Sequence, residues 1–191
     1  MIKRMRAVAA FGFGIAVLAA AGASARAETP PPGQVDFGTF RPPGSNSEFV
    51  EINVPASLIG LAARFFEKQE PDVAKLLNGI QLVHVSVIGL NDQNRAELEQ
   101  RAEHVRKELE TKGWERVVKV LKDEQDIGIY LKTQGKETVQ GLALVLFAGK
   151  DQAVFANVVG DIKPEQLALL GERLHIEPLK NLGQMANKAQ Q

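Results

Sequence analysis

Three histidines, His84, His104 and His175, are the side chains here best suited to ligate a metal or move a proton near neutral pH. Local zinc patterns need a second histidine or an acid at close, fixed spacing, such as H-x-H or H-E-x-x-H. None of the three has one, so surface or half-buried histidines are expected. The densest acidic group is Asp123, Glu124 and Asp126. It lacks the alternating oxygen ligands, turn glycine and closing glutamate of a calcium loop, and reads as a solvated hairpin turn. Nucleophile chemistry has no local signature either, because no G-x-S-x-G elbow occurs. Gly149-Lys150 looks like the end of a phosphate loop. However, Leu144 stands at the required upstream glycine and Asp151 replaces the hydroxyl residue after the lysine. The chain has no cysteine, which removes thiolate catalysis, thiolate metal sites, disulfides and lipidation of a boundary cysteine. No catalytic residue, metal ligand or cofactor is therefore assigned.

Trp114 and Tyr130 are the sole Trp and Tyr. Trp114 follows a helix stop and is expected at a helix–sheet seam. Tyr130 alternates with Ile127, Ile129 and Leu131, so it shares the opposite strand face with Gly128 and Lys132. A core or rim role is the first expectation there and an outward partner contact the second, since aromatics serve packing before hot spots. Tyr130 is the candidate contact residue, and strand 125–132 is the candidate edge for pairing with an extended partner segment.

These residues are carried by a chain that opens like an export signal. Lys3, Arg4 and Arg6 precede an uncharged Ala/Val/Phe/Gly run from Ala7 to Ala23, then Ala25-Arg26-Ala27 and Glu28. A basic region, an apolar region and an A-x-A site define a cleavable signal, with the cut expected between Ala27 and Glu28. Ala23-Ser24-Ala25 offers a second cut. The apolar run falls short of the roughly 20 residues of a bilayer-spanning helix, so no span is expected after cleavage. The expected location is the periplasm or the medium. The whole chain carries 23 basic and 23 acidic residues, and the signal holds four of the basic ones and no acid. The remaining 19 bases against 23 acids argue against nucleic acid and against a polybasic membrane binder.

Breakers and periodicity set out the rest. A proline-rich segment, 28–47, contains E-T-P-P-P-G, the apolar island Val35-Asp36-Phe37-Gly38-Thr39-Phe40 and a second breaker cluster. The island is expected to dock on the domain, since two phenylalanines are costly to leave in water at roughly 1.5–3 kcal/mol each. Alternation predicts strands at 48–54, 80–90, 114–121, 125–132, 137–147 and 152–160. The fifth and sixth are apolar on both faces and belong mid-sheet. Helical spacing predicts a helix from Ser57 to Gln69 with Leu58, Leu61, Ala62 and Phe65 as its stripe, widened by Ile59 and Phe66, a short one from Pro71, and a long one from Asn91 to Lys112. The long helix buries Leu98, Ala102, Val105 and Leu109 and stops at Gly113. A last helix starts at Pro164 with Leu167, Leu170 and Leu174 inward. The expected fold is one α+β layer domain, 48–180, with a mainly antiparallel sheet of about six strands, helices over one face, and a polar tail at 181–191.

Several strings are similar to a family of exported proteins, the domain of unknown function 4252. They are Val35 to Phe40, Phe65-Phe66-Glu67-Lys68, Gly113-Trp114-Glu115-Arg116-Val117-Val118, Ile129-Tyr130-Leu131-Lys132 and Asn157-Val158-Val159-Gly160-Asp161-Ile162. The resemblance runs from about Val35 to Leu179. It implies an exported single domain and carries no activity or catalytic residue. Many members look like lipoproteins, and the missing cysteine keeps that anchor from carrying over. Two functional expectations follow. One is a non-enzymatic binding domain for an envelope protein or peptide. The other is an exported hydrolase whose acids and histidines are assembled only by the fold.

Overall fold

A computed structural model describes residues 30–44, 47–135 and 138–163, together with Gln166 and Leu169. The signal segment with Ala27 and Glu28, His175 and the polar tail lie outside the described residues. So does most of the expected last helix, in which Gln166 and Leu169 are helical. The elements run β1 (Phe49–Pro55), α1 (Ala56–Phe66), α2 (Pro71–Gly79), β2 (Ile80–Gly89), α3 (Arg95–Thr111), β3 (Glu115–Lys122), β4 (Gln125–Gln134), β5 (Thr138–Ala148) and β6 (Gln152–Ile162).

All strand pairings are antiparallel, in one six-stranded sheet of order β1-β2-β6-β5-β4-β3. β5 and β6, apolar on both faces, take central places as expected. The edges are β1 and β3. β4, expected as an edge, is flanked by β3 and β5, because two short hairpins hold it on both sides. β3 bears Arg116, Lys119 and Lys122 and a register shift between Arg116 and Val118, two devices that discourage further pairing at an edge.

Helices cover both faces rather than one. α3 lies on the first face, where Leu98, Ala102, Val105 and Leu109 pack with Ile88, Trp114, Tyr130, Val145 and Phe155. The stripe read from the sequence is the buried one. Gly113 ends this helix at φ 75°, a left-handed geometry a β-carbon would strain. At its start the chain turns more tightly than expected. Asn91 Oδ1 accepts the Gln93 and Asn94 amides, and helical geometry begins at Arg95.

The α1–α2 pair lies on the second face, because β5 and β6 need apolar cover on both sides. Ile59, Leu76, Ile80 and Ile162 cluster there with Val54, Val83, Leu142 and Val158, and Leu169 packs against the same cluster. No described helix is long and apolar enough to cross a membrane.

The island at 35–40 docks beside α3 on the first face. Phe37 is buried, and Phe40 stacks at 4.9 Å from Phe155 with Arg101 over its ring at 4.8 Å. Gly33 meets β5 backbone to backbone: a β-carbon on it would stand 2.1 Å from the Gln140 carbonyl oxygen.

Candidate functional site

Among the described residues the chemistry-bearing side chains do not converge. His84 is half-buried on β2. Its Nε2 lies 3.1 Å from Ser86 Oγ and 4.0 Å from Glu51 Oε1. A catalytic relay needs the acid on one ring nitrogen and the nucleophile on the other. Here both meet the same nitrogen, and Ser86 is fully buried. His104 is exposed on α3. Asp123, at φ 54°, and Glu124 form the β3–β4 turn, where Glu124 pairs with Lys150 at 3.2 Å. Asp126 instead accepts a bond from Arg106 at 2.7 Å. Among the described residues no three His, Cys, Asp or Glu side chains gather as metal ligands would.

Tyr130 is not an outward contact. It is 0 % exposed beneath α3. The alternation correctly set it opposite Ile129 and Leu131, but its own face is the one the long helix covers. Trp114 is buried in the same cluster, at the helix–sheet seam.

What the sheet register does assemble is an apolar band on the second face, next to α1 and α2. One cross-strand row reads Ile52, Val85, Ala156, Leu144, Ile129 and Val118. The next reads Val50, Val87, Val154, Leu146, Ile127 and Val120. All six strands thus contribute an apolar residue to both rows. Polar side chains return one row further on, at Gln152, Gln125 and Lys122. Ile129 and Val118 are sheltered by their strand neighbours. Val50 and Ile52 are 37 % and 44 % exposed. Val85, Val87, Leu146, Val154 and Ala156 are half-buried and lie outside all three buried clusters.

The band measures roughly 24 Å across the strands and about 14 Å along them, from strand spacing and rise. A helix of about 16 residues is that long and, at 10–12 Å, nearly that wide. α1 borders the band with a second apolar feature. Its inward side is Ile59 and Ala63, whereas Leu58, Leu61 and Phe65 are 55 %, 64 % and 71 % exposed. These three were expected inside. They stand at i, i+3 and i+7, the spacing of an anchoring stripe.

Among the described residues, an open antiparallel sheet backed by helices on both faces, with an apolar band that no described helix covers and no group of metal-ligating side chains, defines a small α+β domain. The family description Domain of unknown function (DUF4252) matches residues 41–170, most of the chain, and the protein belongs to that family. No curated protein and no solved structure matches it.

Proposed function

We propose that this is an exported, non-enzymatic binding protein of the cell envelope, whose open sheet face docks an amphipathic helical segment of a partner protein. The observation that carries this reading is the pair of uninterrupted apolar rows across all six strands. Burying an apolar side chain contributes about 1.5–3 kcal/mol, and a wholly apolar patch of this kind marks an interaction site. The dimensions favour a helix. α1 and α2 already form a helical layer over the adjoining row, and the free band has the width of one more. Export rests on the basic, apolar and A-x-A segments of residues 1–27.

The test uses the full chain expressed in a bacterial host and recovered from the envelope fraction. The recovered species is expected to begin at Glu28 and to run in a hetero-complex. Ile52→Glu places a charge at an exposed position of the band. It is expected to release the free domain, weakening the complex by more than about a hundredfold because an unpaired charge would be buried in the interface, with an unchanged melting temperature. A wild-type chain that runs alone or as a homodimer contradicts the reading. So does an Ile52→Glu variant that unfolds, because residues 170–191 or a second copy would then be the occupant.

A further inference from the structure

A separate cleft of about 370 Å³ lies between α3 and the β3–β4 hairpin, on the first face of the sheet. Register places Arg116 opposite Tyr130, Lys119 opposite Gly128 and Leu121 opposite Asp126 on its sheet wall. From α3 come Glu103, Arg106, Lys107 and Glu110. Among the described residues two buried side-chain atoms have no hydrogen-bond partner, Arg106 Nη2 and Tyr130 Oη, and both residues line this cleft. Native proteins rarely leave such groups unsatisfied, and each one asks for a partner.

Their poise is built in. Arg106 is held by its other nitrogen, Nη1, which donates to Asp126 Oδ2 at 2.7 Å, so Nη2 is left to spare. Tyr130 folds back over Gly128. A β-carbon there would come within 2.9 Å of the ring and 3.4 Å of the hydroxyl, so only glycine lets the phenol take this position. The charges favour an anion. Arg106–Asp126 and Arg116–Glu110, at 3.5 Å, pair two of the three lining carboxylates. Lys107 and Lys119 are left with Glu103 and no ion pair among the described residues. The volume exceeds the roughly 30 Å³ of one water many times over, and Leu121, 63 % exposed, adds an apolar wall.

We infer that this cleft binds a small organic carboxylate: Lys107 and Lys119 draw it in, and a small shift of the α3 side chains lets Arg106 Nη2 and Tyr130 Oη, both shut from solvent in the free protein, donate to its oxygens, with the short apolar tail against Leu121. A guanidinium nitrogen and a hydroxyl are charge-assisted donors suited to a carboxylate. Acidic peptide termini and free organic acids share that chemistry. The site is independent of the apolar band.

The test is amide-shift titration of the isotope-labelled chain, at constant ionic strength, with butanoate, with a peptide ending in a free carboxylate, with the same peptide amidated, and with inorganic phosphate. Saturable shifts at Gly128, Tyr130 and Lys119 are expected with butanoate. If the free peptide acts and the amidated one does not, the source is a chain terminus; if butanoate alone acts, it is a free acid, and either supports the site. Tyr130→Phe keeps the ring and is expected to weaken binding about tenfold, the worth of one charge-assisted bond, without lowering the melting temperature of the free protein. Gly128→Ala displaces the ring and should weaken binding alike. Phosphate binding in place of carboxylate, no saturable response, or equal affinity in Tyr130→Phe would each overturn the assignment.

Discussion

Asn157, fully buried on central strand β6, shows what one side chain can organise. Its Oδ1 accepts the Val35 amide at 3.0 Å, and its Nδ2 donates to the Gly33 and Leu142 carbonyls at 2.9 and 3.0 Å. The amide therefore joins the N-terminal segment to the sheet, and Phe37 and Phe40 follow it onto α3's face. Asn157→Ala would orphan buried backbone groups, each costing about 1–3 kcal/mol. It is expected to lower unfolding free energy by roughly 2–4 kcal/mol in urea titration and to speed proteolytic cutting within residues 30–41. Wild-type resistance to the protease would contradict that tie. The docking of the island was legible from its two phenylalanines, but its anchor was not. A lone Asn in an apolar strand shows no periodicity, and its two partners in the N-terminal segment lie more than 120 residues away. Tyr130 went to the core, the first of the two roles its sequence offered; alternation separates two faces but does not say which one a distant helix covers.

At the scale of elements, α3 and α1 make opposite cases. α3 is polar on every side but one, so its stripe could only turn inward, and Leu98, Ala102, Val105 and Leu109 do. α1 carries apolar residues around most of its circumference, which leaves its rotation to the packing of Ile59 on Val54 and Val83. Leu58, Leu61 and Phe65 of the expected stripe therefore face out, and Ile59 from its widened edge faces in. The two sides should respond differently to substitution. Ile59→Ala is expected to cost about 2–5 kcal/mol by opening a cavity. Leu61→Ser should stay within about 0.5 kcal/mol, as exposed positions do. Urea unfolding of both variants checks this, and a large loss at Leu61 would mean that the outward stripe is covered within the free chain.

For the whole molecule, the hairpin series β3-β4-β5-β6 was readable from short polar turns, and the central place of β5 and β6 from their two apolar faces. The pairing of β2 with β6 was not, since their register joins residues more than 60 positions apart. That pairing completes the rows which cross all six strands, so the candidate docking surface exists only at the level of the assembled sheet. An apolar alternation in each strand looks like ordinary core until the described helices are counted: α3 takes one face, and α1 with α2 takes one end of the other.

The most direct measurement is to place a photo-crosslinking amino acid at position 52 or 87 of the full chain, irradiate cells that export it, and map the adduct by mass spectrometry. The docking account predicts a crosslink to an apolar face of a helical segment in another envelope protein, lost when Val50 and Ile52 are both made Glu. Adducts confined to residues 170–191 of the same chain, or to a second copy, would contradict it.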